Sequence, residues 1–489
     1  MGKSHSNAPL VEALQNYVSQ HPASFHVPGH KGGTAFRADP SVRDWLGAAG
    51  MYDTTELAGL DDLHAPEGAI AEAQSLAAQV YGAQHTYFLV GGSTVGNLAV
   101  LHAAAGPGEL ILMQRNVHKS ALHALMLSGA GAAFIVPQQD PATGLYTSIT
   151  AKDVEEGLRR HPETKAVFIT NPNYYGLSID VQAIAEVAHK YGKPLIVDEA
   201  HGAHFGFHAA FPVSALQCGA DAVIQSTHKM LPAMTMGAML HLQGSRLAHE
   251  RIERRLQMLQ SSSPSYLIMA SLDWVRSMLH QKKGGWFEEG LRAAGHFENT
   301  INQCKHRFAV WDGQGTTYRI DPLKKLLYDR EGCLTGVQIQ QMLAEKGCYV
   351  ELADERYALC VFSLASTIED VGRLVDALDE IAMRFPTEKK DNALKFTNIW
   401  NTLSGQLSTP IFLRPDLAEN GLVHNVRVEF TEGRISAEMV IPYPPGIPLL
   451  YPGEKITDNV VQALLQMRAM GRSVQGMHDR TMTHLRVFQ

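Results

Sequence analysis

No C-x-x-C pair occurs in this chain. Its five cysteines, Cys218, Cys304, Cys333, Cys348 and Cys360, are scattered, so neither a disulfide framework nor a zinc ribbon is expected, and a reducing compartment is the simple reading. Long apolar runs are missing too. Nothing approaches the roughly 18 uninterrupted apolar residues of a membrane-spanning helix, and the opening MGKSHSNAPL has no apolar core of signal-peptide length. We therefore expect a soluble, cytoplasmic protein without a membrane partner. Basic blocks are absent as well. With 42 basic and 49 acidic side chains the formal charge is −7 at pH 7, which supplies no footprint for nucleic acid and mildly suits a cationic small molecule. Neither G-x-x-x-x-G-K-[ST] nor G-x-G-x-x-G is found, which leaves nucleotide binding of either kind unsupported.

What is present is a chain of 489 residues, 45% hydrophobic, too long for one compact core. Between Tyr81 and Leu242 short apolar runs alternate with helical patterns: TYFLV (86–90), ELILM (109–113), AAFIVP (132–137), KAVFIT (165–170), PLIVDEA (194–200), DAVIQS (221–226) and GAMLHL (237–242). Continuous apolar runs flanked by helices mark strands buried on both faces, so an α/β layer with a mainly parallel sheet is expected. In such sheets ligands collect at the carboxyl ends of the strands. From Phe308 to Met383 the order changes to strand, helix, strand, strand, helix, in RFAVWD, TGVQIQQMLAEKG, CYVELAD, YALCVFSL and IEDVGRLVDALDEIA, which predicts a small α+β domain. PTEKKDN (386–392) reads as a linker. The expected division is a linker segment over 1–60, a large α/β domain over 61–300, the small domain over 301–388 and a C-terminal domain over 389–489, without repeats.

Four segments carry chemistry. In QSTHKMLPAMTMG, Lys229 follows a strand, with Ser226 and His228 just before it. An amine there is either a nucleophile or a solvated surface lysine. Asp198 ends the apolar run PLIV, which places a carboxylate at the end of an interior strand, where it needs a cation or hydrogen bonds. A protonated pyridine nitrogen is such a partner and makes a cofactor ring a better electron sink; a structural carboxylate capping the next turn is the alternative. FLVGGSTVGNLAVL runs from a strand through Gly91 and Gly92 into a helix. Its free N–H groups and the hydroxyls of Ser93 and Thr94 suit a phosphate monoester, or serve as ordinary N-caps. His118, in RNVHKSALHALMLSG, follows the ELILM strand, where an imidazole can lie on a flat ring or be simply a satisfied polar residue.

Other readings of these motifs are poorer. VDEAH spells the acidic box of some helicases, but no phosphate-binding lysine loop or basic channel accompanies it. His201, His204 and His208 in HGAHFGFH match no zinc spacing, so no metal is expected, and ring packing is the better use of His201.

Together with FHVPGHKGG (25–33), ELAGLDDLHAPEGAI (56–70), NPNYYG, SSSPSYLIMASLD (261–273) and PYPPGIPLLYPGE (442–454), these segments closely resemble the ornithine/lysine/arginine decarboxylase family. The likeness runs from about residue 8 to the C-terminus. It implies a fold type I, aspartate aminotransferase-like, pyridoxal 5'-phosphate-dependent large α/β domain with a small α+β domain and a C-terminal domain. It implies decarboxylation of a basic L-amino acid, arginine or lysine before ornithine, to an amine of polyamine metabolism. By resemblance, Lys229 holds the cofactor as an imine, Asp198 meets the pyridine nitrogen, and His118 stacks on the ring. Ser93, Thr94, Ser226 and His228 hold the phosphate, with Ala200 and His201 beside the ring. Sites in this family lie at a dimer interface. The resemblance therefore implies that Ser262 and Ser263 reach the partner subunit's cofactor, with Glu454 a candidate for the substrate's ammonium or guanidinium group. Two departures stand out. Larger members carry an N-terminal wing domain that builds decamers, whereas this chain starts at the short linker, so a homodimer or dimer of dimers is expected. Met236 stands seven residues after the lysine, where the family usually has Gln. The competing expectations are an aminotransferase or aldolase on the same fold, and an inactive paralogue that regulates a decarboxylase.

Overall fold

The computed structural model describes residues 7–140, 143–303, 307–311, 313, 318–385, 407–413, 423–443, 448–469, 471 and 473–489; the PTEKKDN segment lies outside them. The chain forms two compact units, one of Met1–Ala104 with Pro194–Trp286 and one of Ala105–Lys193 with Phe287–Gln489.

In the first unit four strands lie in the order His85–Leu89, Ala238–Leu242, Ala222–Gln225, Leu195–Asp198. The last two are parallel, and Ala238–Leu242 runs antiparallel to its two neighbours. Every residue of Leu195–Asp198, Ala222–Gln225 and Ala238–Leu242 is buried, as expected of strands covered on both faces. The helix Gly92–Ala104 follows a tight turn in which Gly92 takes φ +72°, a conformation that glycine adopts without a Cβ clash. The helix lies so close to the strands that a Cβ on Gly96 would stand 2.8 Å from Ile224 and Leu89 side-chain carbons.

The second unit holds the parallel strands Ala166–Thr170, Leu110–Gln114 and Gly131–Ile135, with Ile411–Phe412 antiparallel at the edge. A separate antiparallel sheet has the order Phe308–Val310, Lys324–Asp329, Ala358–Val361, Leu352–Ala353. Its helices Gly336–Glu345 and Ile368–Arg384 both start with capping boxes, Thr335 with Gln338 and Thr367 with Asp370, each satisfying N–H groups that the first turn leaves open. A further core around Val428, Val440, Leu450, Leu464 and Leu485 closes the C-terminal part.

All seven strands of the expected α/β layer are present. The strand Lys324–Asp329 was not expected, because KKLLYD opens on two lysines; both are buried, Lys325 against Glu298 and Lys324 donating to the Tyr174 carbonyl. Ile411–Phe412 was likewise missed, being too short for a periodic signal.

Candidate active site

In the first unit the expected residues gather at the carboxyl ends of two adjacent parallel strands. Lys229 sits on the short turn Thr227–Met230 after Ala222–Gln225. Its side chain is exposed, and Nζ stands 3.0 Å from His201 Nε2. Asp198, only 3% exposed, ends the neighbouring strand. Its Oδ2 accepts from Asn97 Nδ2 at 2.8 Å and its Oδ1 from the Ala200 N–H at 3.1 Å. Two donors thus satisfy a carboxylate in a buried place.

The hydroxyls of Ser93 and Ser226 are 2.7 Å apart, which joins the first turn of the Gly92–Ala104 helix to the segment carrying Lys229. Thr94 is exposed beside them. A second tie runs from the Gly92 N–H to the Met236 carbonyl at 2.9 Å, and Met236 adopts φ +75°. His228 Nδ1 lies 2.9 Å from the Gly237 carbonyl. A helix N-terminus with hydroxyls at its mouth offers donors that suit an anion. Ser262 and Ser263 lie exposed on the loop ahead of the Tyr266–Lys282 helix.

Sequence reasoning passed over Glu199, which is fully buried one residue from Asp198. It ends a chain of hydrogen bonds that crosses the sheet. The Thr86 hydroxyl meets His241 Nδ1 at 2.8 Å, His241 Nε2 meets Gln225 Oε1 at 3.2 Å, and Gln225 Nε2 donates to Glu199 at 2.8 Å. The Ala215 N–H supplies Glu199 with a second donor at 2.8 Å. One assignment satisfies every member: neutral His241 accepts from Thr86 and donates onward. Burial holds His241 down at about 3, consistent with that neutral form, and pushes Glu199 up to about 8. His204 packs between Phe205 and Phe211, and among the described residues no three His, Cys, Asp or Glu side chains come together as a metal site.

In the second unit His118 caps the helix Lys119–Ser128, accepting from the Ser120 N–H. With Tyr175 and Asp354 it lines a cavity of about 340 Å³. Arg115, just upstream, is the other residue that the sequence did not single out. It is buried, donates to the carbonyls of Pro448 and Leu449, and pairs with both oxygens of Glu454 at 2.9 and 2.6 Å. Tyr451 returns a bond to the Arg115 carbonyl and stacks under the guanidinium at 4.8 Å. Glu454 thus has an internal counter-charge, and also accepts from the Tyr451 N–H.

Comparison with known proteins gives the family. The profile of the family described as "Orn/Lys/Arg decarboxylase, major domain" matches residues 8–318, and that of its "C-terminal domain" matches residues 412–482. The chain is 40% identical to the "Uncharacterized protein YaaO" of Bacillus subtilis, over 96% of each chain. It is 35% identical to an "Arginine decarboxylase" of the same organism, over 99% of each. Among solved structures, Escherichia coli constitutive lysine decarboxylase shares the fold with a TM-score of 0.79 at 24% identity, covering 99% of this chain and 82% of that one. Family and fold coincide over nearly the whole length: this chain belongs to the Orn/Lys/Arg decarboxylase family and is a decarboxylase.

Proposed function

We propose that this enzyme removes the α-carboxylate of a basic L-amino acid, arginine first, then lysine and ornithine, using pyridoxal phosphate. One observation carries the cofactor assignment: in a single unit, an exposed lysine amine, a buried carboxylate and a hydroxyl-lined helix N-terminus stand around adjacent strand ends. This donor set suits a group with an aldehyde, a basic ring nitrogen and a phosphate. Lys229 would hold the aldehyde carbon, Asp198 the pyridine nitrogen, and Ser93, Thr94, Ser226 and His228 the phosphate, with Ala200 and His201 beside the ring. The whole-length likeness to a protein named arginine decarboxylase supports arginine as the first choice.

When bound, pyridoxal phosphate supplies an electron sink for the pair left at Cα as carbon dioxide departs. The chain does the rest. Asn97 and the Ala200 N–H fix the Asp198 carboxylate, which would stabilise a proton on the ring nitrogen. The helix Gly92–Ala104 and its hydroxyls would hold the phosphate end, and so help to orient the Cα–carboxylate bond. By the family resemblance His118 would lie against the ring, and either it or Lys229 would return a proton to Cα. Ser262 and Ser263 reach the partner subunit's site in a homodimer or dimer of dimers, and the amine products enter polyamine metabolism in the cytoplasm.

The test is direct. Purified enzyme with added pyridoxal phosphate is incubated separately with arginine, lysine and ornithine, without any keto acid, and amine and carbon dioxide are measured. Stoichiometric amine and carbon dioxide from one of them are expected; absence of amine from all three overturns the reading.

A further inference from the structure

Glu199 and Gln225 stand next to the two groups on which the site of the first unit depends. Glu199 follows Asp198, and Gln225 ends its strand immediately before Ser226 and the turn that carries Lys229. The two strands are parallel neighbours, and the Glu199 N–H donates to the Ile224 carbonyl at 2.8 Å. Successive side chains of an extended chain point to opposite faces. Asp198 therefore meets Asn97, while Glu199 meets Gln225. The turn that follows packs directly on Glu199, because a Cβ on Gly202 would stand 2.7 Å from its Cγ; the same turn places His201 at 3.0 Å from Lys229. The Glu199–Gln225 bond is thus a side-chain tie between the strand end that carries the carboxylate and the one that leads to the lysine.

Thr86, His241, Gln225 and Glu199 are all buried, and their hydrogen bonds can run in either direction. An ionised Glu199 accepts from the Gln225 amide, with His241 accepting from Thr86 and donating from Nε2. The same positions allow the reverse, because an amide can flip and a neutral imidazole has two tautomers. A protonated Glu199 then donates to the Gln225 oxygen, the Gln225 nitrogen donates to His241 Nε2, and His241 Nδ1–H donates to the Thr86 hydroxyl. Loss of one proton from Glu199 to solvent, with the His241 proton moving from Nδ1 to Nε2, converts the second arrangement into the first. Burial pushes Glu199 up to about 8 and keeps His241 neutral, so the protonated arrangement belongs to neutral pH. The titratable groups around the chain have their own contacts: Asp198 with Asn97, His201 with Lys229, His204 with two phenylalanine rings and Tyr81 stacked on His241 at 4.5 Å.

Resting on the pyridoxal-phosphate reading above, we propose that Glu199 is a positioning residue for decarboxylation: through Gln225 it holds the Asp198 strand end against the lysine turn, and its neutral form supports turnover. An ionised Glu199 would put a second buried negative charge one residue from Asp198, which opposes electron density arriving on the ring.

The test uses the full-length protein and its E199Q and E199L variants. Without cofactor, nitrogen-15 spectra of labelled histidines follow His241, assigned by its absence from H241F. In wild type it should pass from the Nδ1–H to the Nε2–H tautomer as pH rises through about 8, and in E199Q it should keep the Nδ1–H form. In the holoenzyme, E199L should lower kcat about tenfold or more, as expected for a broken buried hydrogen bond, with the cofactor absorbance retained. E199Q, which can donate to the Gln225 oxygen, should recover most of that loss and lack the fall in kcat above about pH 8 that wild type shows. A single His241 tautomer throughout in wild type, an E199L variant with kcat within twofold of wild type, or an unchanged pH profile in E199Q overturns this assignment alone. A wild type with neither cofactor absorbance nor amine product overturns the reading beneath it, whatever the His241 spectra show. If E199L does not fold, the spectra and pH profile of E199Q decide by the same criteria.

Discussion

Asn97 donates to Asp198 at 2.8 Å from a position 101 residues earlier in the chain. The bond ties the helix whose first turn carries Ser93 and Thr94 to the strand end that carries the buried carboxylate. It braces the helix N-terminus against the carboxylate, so the two ends of the proposed cofactor would be held at a fixed separation.

Replacing Asn97 by Ala should therefore leave cofactor binding largely intact and slow turnover. Removing a hydrogen bond to a charged acceptor costs about 1.5–3 kcal/mol, or about 10- to 100-fold in rate when the acceptor works in the rate-limiting step. Single-turnover rates on saturated enzyme measure it, and a variant within twofold of wild type would show that Asp198 does not need this support.

Glu199 predicts a pH dependence of stability. The folded protein keeps its proton up to about pH 8, whereas an ordinary glutamate releases it near 4.5. Between those values the folded state binds more protons than the unfolded chain, so stability falls as pH rises through this window. The contribution is on the order of 4 kcal/mol at most. Glu199→Gln removes the ionisation and turns one of the two accepting oxygens into a donor; whatever fixed cost that brings, the variant should gain stability relative to wild type between pH 5 and pH 9. Equal differences in unfolding midpoint at the two pH values would contradict the assignment.

Arg115 is almost wholly buried while Glu454 keeps slight exposure, and each is the other's counter-charge. Removing one member leaves the other without its partner, at a cost of about 3–5 kcal/mol for a buried pair. Arg115→Ala should lower the unfolding temperature by several degrees and loosen the segment around Leu449 and Tyr451, seen as faster amide exchange there. Unchanged exchange would mean that the loop is held by its other contacts.

Much of the fold was legible because its strands are covered on both faces and therefore read as uninterrupted apolar runs. Lys324–Asp329 hid because its two lysines find their partners only in the folded state, Lys325 in Glu298 and Lys324 in the Tyr174 carbonyl. The same cause hid the supporting residues of the site. Asn97 sits inside an apolar helix pattern, and Arg115 lies 339 residues from Glu454, so neither has a local signature. The motifs RNVHKS and PPGIPLLYPGE could be quoted separately from the sequence, but only folding shows that the arginine of one grips the glutamate of the other.

If the amine of Lys229 carries the cofactor, as proposed, borohydride reduction should trap the link. Enzyme reconstituted with pyridoxal phosphate is reduced, digested and mapped by peptide mass. A pyridoxyl-phosphate adduct on the peptide containing Lys229, lost together with the yellow absorbance and all turnover in Lys229→Ala, is the predicted result. An adduct on another lysine, or a Lys229→Ala variant that still turns over substrate at the wild-type rate, would contradict it.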